Sequence, residues 1–323
     1  MPSILSTISN ILTSALPCCL LALGIFLTFR ILDFADLTAE GSFLIGAALT
    51  GAVHYCGGNP FVATLVGCLG GAVCGFITGC LNRFCKISKL LSGIITMTAT
   101  ASIAMLIMGL AKGSPGGFDS QIPLNIQKND TIFSLFWNDY IENVVMDIIV
   151  MSVIVILVVL AIYFFFGTEY GMAIRATGLN ENMARSQGIN TTVATIVGVT
   201  ISNALIGLGG ALYAQDTKSV STISASGYLV IGLASIIIGE VIFGRRSFKN
   251  WIISVCLGAI TYFVISSTVV NIGLPTQLKS LLYAILIVIA LCLPAIKKGT
   301  ITLWFKIYNK IHKKEELKDA ETN

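Results

Sequence analysis

The chain consists of long apolar runs separated by short polar stretches. A helix needs about 20 mainly apolar residues to cross the hydrocarbon core of a bilayer. The runs 41–56 and 227–243 are short and either rich in glycine or interrupted by polar residues, so eight and ten crossings are the alternatives to nine. The pattern predicts an all-α polytopic membrane helix bundle with these spans: 11–29, 41–56, 61–82, 90–111, 144–166, 192–214, 227–243, 251–270 and 278–296.

Composition excludes an ordinary soluble protein. Of the 323 residues, 55% are hydrophobic and only 11% are charged, whereas a soluble domain carries roughly 25% charged residues. Such a chain cannot hide its apolar surface from water, so lipid must be its main solvent. The nine cysteines form no C-x-x-C pair and there are only two histidines, so we expect no metal site and no cofactor in this chain.

Basic residues are distributed unevenly between the two sides of the predicted bundle. The polar segments 83–89, 168–190, 244–250 and 297–323 fall on one side and carry most of the lysines and arginines. Because cytoplasmic segments are enriched in these residues, this side is predicted to face the cytoplasm. With nine crossings the N-terminus then lies outside and the C-terminus in the cytoplasm. The net charge of +4 therefore reflects membrane orientation and not a nucleic-acid partner.

Two regions follow from this arrangement. Residues 1–296 form the transmembrane domain, which includes a cytoplasmic loop at 168–190. Residues 297–323 form a basic tail whose apolar side chains recur at helical spacing, which predicts an amphipathic helix on the anionic inner leaflet. The stretch 112–143 is the longest outward segment, and its aromatic half is either a docking surface for an external partner or an interfacial helix.

A polar break interrupts the apolar pattern at residues 30–42. One interpretation is a cytoplasmic loop; the other is a discontinuous helix whose ends line a translocation pathway. We favour the pathway, in which Asp33 or Asp36 pairs with Arg30. For Thr96 and Asn203, on later spans, hydrogen bonding within the helix bundle is the alternative. The predicted pathway residues are Asp33, Asp36, Thr38, Glu40, Ser42, Thr96 and Asn203.

The loop at 168–190 is too polar to enter lipid and joins two strong spans. Its pattern predicts a helix, a break at Gly178, and a second short helix that ends at Gly188. Asn180 is positioned to cap the second helix by accepting a backbone N–H from its first turn. Two short helices across the base of a membrane domain would let a soluble motor grip it and move it as a rigid body.

This loop resembles the coupling loop of ATP-binding cassette importer permeases, in the branch that includes the branched-chain amino acid permeases. The resemblance rests on GMAIRATGLNENMARSQGIN (171–190) and extends to LDFADLTAEGSF (32–43), GLGGALYAQ (207–215) and GLASIIIGE (232–240). The subgroup includes members linked to aromatic amino acid uptake. The resemblance implies that the ATPase-contacting residues are Glu169, Gly171, Arg175, Gly178, Asn180, Ala184, Arg185, Gly188 and Ile189.

The same resemblance implies the partners and the location. A separate ATPase subunit would bind ATP and Mg, an extracytoplasmic solute-binding protein would deliver the solute, and a second permease copy would complete a homodimer in the bacterial cytoplasmic membrane. The chain would then import a small solute, an amino acid that is aromatic in some relatives, by ATP-driven alternating access. Consistent with this, the sequence contains no G-x-x-x-x-G-K-[ST] nucleotide-binding motif.

Two other classes of function compete with this prediction. A secondary transporter or channel would work without ATP, but such proteins place ionisable residues deep in several spans for ion coupling. Here only Asp147 and Glu240 lie within or at the ends of the later spans. A membrane enzyme would need clustered His, Cys or paired carboxylates, and the acids at 33, 36 and 40 have no His partner.

Overall fold

A computed structural model establishes the architecture, and the residues it describes are 4–114, 116–124, 131–132, 143–223, 227–271, 285 and 288. Through residue 271 the chain is mainly helical. Its elements are α1 (Ile4–Phe26), a π-helical segment (Leu27–Ile31), α2 (Thr38–Tyr55), α3 (Pro60–Arg83), α4 (Lys89–Lys112), β1 (Gln121–Pro123), α5 (Asn143–Phe165), α6 (Glu169–Leu179), α7 (Glu181–Ser186), α8 (Thr191–Thr217), β2 (Ser219–Ser221), α9 (Tyr228–Phe243) and α10 (Phe248–Asn271).

Six of the described helices are long and apolar enough to cross a membrane: α1 with its π-helical extension, α3, α4, α5, α8 and α10. The helix α9 is also apolar but has only 16 residues. The prediction of a helical, polytopic membrane protein is thereby confirmed. The predicted span 278–296, apart from residues 285 and 288, lies outside the described residues, as do the tail 297–323 and residues 133–142 of the outward segment.

The helix α2 begins earlier than the apolar pattern predicts, at Thr38 instead of residue 41. The Asp36 Oδ1 atom accepts a hydrogen bond of 2.9 Å from the backbone N–H of Thr38, which satisfies a donor at the start of the helix. As a result, Glu40 and Ser42 lie on a helix within the bundle and not in a loop.

The centre of the bundle is built from α8, which packs against α1, α2 and α3. Small residues allow the backbones to approach closely, as is common where membrane helices pack. A Cβ on Gly207 would lie 2.9 Å from the Gly71 Cα atom, and one on Gly210 would overlap the carbonyl oxygen of Phe43. These glycines therefore let α8 pack closely against α2 and α3.

A short antiparallel ribbon departs from the purely helical expectation. The strands β1 and β2 pair with Ile122 opposite Val220, and both side chains are buried against Gly51 of α2. Nearby, the Lys112 ammonium donates to Asp119 at 2.7 Å and lowers the pKa of that exposed carboxyl to about 2. The ribbon and this turn cover one end of the bundle, which we call the ribbon end.

The opposite end holds most of the described basic residues, and we call it the basic end. Here the Lys89 Nζ atom donates to the backbone carbonyl of Asp33 at 2.7 Å, and Arg83 pairs with Glu181 at 2.5 Å. Residues 30–33, 83–89, 168–191 and 240–249 meet at this end.

Candidate functional site

The helices α6 and α7 form a capped pair at the basic end. The Thr168 Oγ1 atom accepts the backbone N–H of Gly171 at 3.3 Å, and the Asn180 side chain accepts that of Met183 at 3.1 Å. The predicted cap at Asn180 is confirmed. The break between the helices falls at Asn180, so the predicted break at Gly178 is wrong. Gly178 lies inside α6, where its lack of a side chain permits a close contact with another part of the backbone.

Gly178 lies in close contact with the end of the π-helical segment and the residue that follows it. A Cβ on Gly178 would overlap the carbonyl oxygen of Ile31 and would lie 2.8 Å from the Leu32 Cα atom. Only glycine allows α6 to approach this backbone so closely. The chain leaving Leu32 reaches Asp36 after four residues and the start of α2 after six, so α6 rests directly against the polar break.

Glu181 ties α7 to the membrane helices. Its carboxylate accepts from Arg83 of α3, from Arg185 at 2.9 Å and from Thr191 of α8 at 3.2 Å. The hydrogen bond from Arg83 is the largest cause of a lowered pKa for this carboxyl, which therefore remains ionised at neutral pH. Because Arg83 also donates to Thr195, α3, α7 and α8 are joined at one point.

The contact between α6 and the start of α10 completes the attachment. The Arg175 guanidinium carbon lies 4.5 Å from the centroid of the Phe248 ring, a cation–π distance. The Phe166 ring meets Phe248 edge to face at 5.6 Å. Seven of the nine predicted coupling residues lie in the α6–α7 unit, and Gly188 and Ile189 lie in the link from α7 to α8. Gly171 and Ala184 are buried, and the others are partly or fully exposed: Glu169, Arg175, Gly178, Asn180, Arg185, Gly188 and Ile189.

Sequence reasoning missed the large apolar side chains that this unit exposes most. Tyr170 is 76% exposed, Leu179 is 88% exposed and Met183 is 63% exposed. Large apolar groups in an otherwise polar segment at the end of the bundle are typical of a protein interface. The sequence does contain a signal for them. Leu179 and Met183 are apolar residues on either side of the Asn180 cap, in a stretch that is not part of a membrane-spanning run.

Within the bundle, several predicted pathway residues form a buried polar network. The Asn203 amide donates to Asp36 Oδ2 at 2.7 Å, and its oxygen accepts from the Ser42 hydroxyl at 2.7 Å. A second chain of hydroxyls links Thr38 to Thr78 at 2.8 Å and Thr78 to Thr96 at 2.9 Å. The structure thus brings five predicted residues into two connected sets: Asp36, Ser42 and Asn203, and Thr38 with Thr96. All five are buried.

The other two predicted pathway residues lie elsewhere. Asp33 is exposed at the basic end, in a left-handed backbone conformation with φ of 49°. Glu40 lines an open groove between α2, α4 and the chain after β2, and this groove encloses about 300 Å³. Its remaining lining residues are Gly41, Leu44, Met97, Thr98, Ala101, Thr222 and Ile223.

The predicted pairing of Arg30 with Asp33 or Asp36 is wrong. Arg30 instead binds Glu240 of α9 at 2.6 Å, and the same carboxylate accepts from Arg245 at 3.1 Å and from the Trp251 indole at 2.9 Å. The π-helical turn directs Arg30 toward α9, while Asp36 turns inward to Asn203. Glu240 therefore joins α1, α9 and α10 at the basic end.

We expect the substitution Glu240→Gln to lower the stability of the bundle. The neutral side chain cannot satisfy three donors, and a buried donor without a partner costs about 1–3 kcal/mol. Because Arg30 and Arg245 retain access to solvent, the loss should lie near the lower end of this range. Thermal unfolding of the detergent-purified protein measures it, with the exposed Glu169→Gln as the control. Equal midpoints for the two variants would contradict this role.

Comparison with known proteins agrees with this geometry. Residues 7–291 match the family model described as "Branched-chain amino acid transport system / permease component". The tyrosine transport system permease protein of Clostridioides difficile is 34% identical over 97% of this chain and 100% of its own length. No solved structure matches the chain.

More distant relatives are named for other solutes. The galactofuranose transporter permease protein YtfT of Escherichia coli is 25% identical over 87% of this chain and 77% of its own. The guanosine ABC transporter permease protein NupQ of Bacillus subtilis is 26% identical over 71% and 73%. A match that covers most of the chain, together with a full-length relative at 34% identity, identifies the protein as a transporter permease subunit and a member of the branched-chain amino acid transport system permease family.

Proposed function

We propose that this permease imports an amino acid across the bacterial cytoplasmic membrane and that a separate ATPase subunit, which binds ATP and Mg, drives it by alternating access. The observation that carries this proposal is the α6–α7 unit. It exposes Tyr170, Leu179 and Met183 at the end of the bundle. A close backbone contact, hydrogen bonds and a cation–π contact fix it to four other elements: the π-helical segment, α3, α8 and α10. Such a unit can transmit a movement of the ATPase subunit to the membrane helices.

The contacts of the unit support a specific route by which this movement reaches the membrane helices. The contact of Gly178 with Ile31 and Leu32 couples α6 to the chain that leads to Asp36. The ion pair of Glu181 with Arg83 couples α7 to α3. Because packed helices move as rigid bodies, displacement of α6 and α7 would be transmitted to the start of α2, to α3 and to α8, and with them to the polar groups we assign to the pathway.

The distribution of charge supports a topology with the basic end in the cytoplasm. In this topology the chain crosses nine times, with the N-terminus outside and the C-terminus inside. Residues 1–296 form the permease domain with its coupling loop at 168–190, and residues 297–323 form the cytoplasmic tail on the lipid surface. The ribbon end then faces outward, where an extracytoplasmic solute-binding protein would deliver the solute.

A second copy of the chain completes the transporter in this proposal, and the pathway runs beside the polar break. We assign to it the residues Asp33, Asp36, Thr38, Glu40, Ser42, Thr96 and Asn203. The five buried members hold one another in hydrogen bonds, which supports a state in which this part of the pathway is closed.

Substitution of the exposed apolar residues tests the proposal. We expect Leu179→Asp and Met183→Asp each to reduce co-purification of the ATPase subunit at least tenfold, because each places a charge in an apolar contact. The tagged permease is purified from native membranes and its partners are quantified by mass spectrometry. Phe118→Asp is the matched control, since Phe118 is similarly exposed but lies at the ribbon end.

Retention of the ATPase by both variants would refute the assigned contact surface. If instead the wild-type chain purifies alone and moves solute into liposomes without ATP, the permease works as a secondary transporter or a channel, and the proposal fails as a whole.

A further inference from the structure

The groove that contains Glu40 lies near the middle of the bundle's height. Met97 and Thr98, which line it, are the ninth and tenth residues of the 24-residue helix α4. At 1.5 Å per residue, they lie about 12–14 Å from one end of a helix about 36 Å long. The groove is therefore level with the hydrocarbon core of a bilayer, which is about 30 Å thick.

One wall of the groove is formed by Thr222 and Ile223, two non-helical residues that follow β2 at the ribbon end. Val220 of β2 lies against Gly51 of α2, whereas the backbone N–H of Gly227 donates to Glu40, eleven residues earlier on the same helix, at 2.9 Å. Gly227 therefore lies about 16 Å farther along α2 than Val220 does. Non-helical backbone at this depth is tolerated where it is buried in protein or lines a polar cavity.

Glu40 differs from the other acids of the polar break. Asp36 is buried and held by Asn203 and by the start of α2, and Asp33 lies at the basic end. Glu40 uses Oε1 to accept the Gly227 N–H, and among the described residues nothing donates to Oε2. A carboxylate at this depth is costly against lipid, so the open side of the groove must face a polar partner or a solute.

We propose that Glu40 binds the α-ammonium group of an amino-acid substrate in this groove, with Leu44, Met97, Ala101 and Ile223 contacting its side chain. This inference rests on the proposed function. A mostly apolar pocket of this size with one charged group suits a single small solute. Sugars and nucleosides carry no ammonium group, so Glu40 determines the class of solute that this permease accepts.

Carbodiimide labelling of carboxylates tests the contact directly. The permease–ATPase complex is reconstituted in lipid nanodiscs, treated with a hydrophobic carbodiimide, and mapped by tandem mass spectrometry. We expect a mixture of the twenty amino acids to reduce labelling of Glu40 at least fivefold, and a mixture of nucleosides and hexoses to leave it unchanged. Asp216, a carboxylate on α8 outside the groove, is the internal control and should respond to neither mixture.

Transport by Glu40 variants gives the second measurement. In proteoliposomes, Glu40→Gln should reduce ATP-dependent amino acid uptake about 10- to 100-fold, because a charge-assisted hydrogen bond to the ammonium is replaced by a weaker neutral one. Glu40→Asp keeps the charge and should recover part of this loss. Co-purification of Glu40→Gln with the ATPase subunit shows that the variant is assembled.

The two failures are distinguishable. If the wild-type complex shows ATP-dependent uptake but amino acids do not protect Glu40, or if Glu40→Gln transports as well as wild type, the inference about Glu40 is wrong and the proposed function stands. If the wild-type complex shows no ATP-dependent uptake of any solute, the proposed function itself fails. A variant that does not assemble leaves the labelling of the wild-type protein as the deciding result.

Discussion

Gly178→Ala is expected to reduce ATP-driven uptake at least tenfold. The added Cβ would overlap the carbonyl oxygen of Ile31 and approach the Leu32 Cα atom. Both are backbone atoms, so no side-chain rotation relieves the contact, and α6 must move away from the polar break. Since protein interiors are close-packed and transmit such displacements, α6 would lose its close contact with Ile31 and Leu32.

Uptake of a radiolabelled amino acid mixture into proteoliposomes measures this effect, alongside the amount of ATPase subunit that co-purifies. Gly167→Ala is the matched control: the same methyl group is added just before α6, where the nearest atom, the Phe164 carbonyl oxygen, is 3.2 Å away. Near-normal uptake by Gly178→Ala would show that α6 does not transmit movement through this contact.

Asn203→Ala is expected to destabilise the bundle more than any other single change considered. Asn203 joins Asp36 to Ser42, and all three are buried. Its removal leaves a carboxylate oxygen and a hydroxyl without these partners, and each such buried group costs about 1–3 kcal/mol, more when it is charged. The cavity left by the side chain adds to the loss.

The thermal unfolding midpoint in detergent measures this change, and Asn250→Ala is the control because Asn250 is exposed at the start of α10. The comparison also separates two roles of the network. A large drop in midpoint with uptake lost in proportion indicates a structural clamp. An unchanged midpoint with uptake lost would assign Asn203 to solute contact and contradict the stability prediction.

The largest part of the α6–α7 unit was predictable because its signals are local. A hydrogen bond from Asn180 to Met183 spans three residues, and caps of this kind follow from residue type and position alone. The long apolar runs likewise report a local property, the length needed to cross lipid. The position of the break was misjudged because glycine both ends helices and permits close packing. At Gly178 the second use applies.

Contacts between distant parts of the chain could not be predicted from local sequence patterns. Arg30 had acidic neighbours three and six residues away, yet it pairs with Glu240, 210 residues later. That choice depends on the direction in which the π-helical turn points the side chain and on the packing of α9 against α1. The pairing of β1 with β2 similarly joins segments that follow α4 and α8, and both strands pack against α2.

The sequence by itself determined that this is a membrane protein, that its segment 168–190 contains two short helices, and which family it resembles. These properties depend on composition, on helical period and on short-range hydrogen bonds. Only the tertiary structure decided that Asp36 is buried while Glu40, four residues later, faces a groove. Their environments differ because α8 covers one position and leaves the other open, and no pattern within one segment specifies which neighbour packs against it.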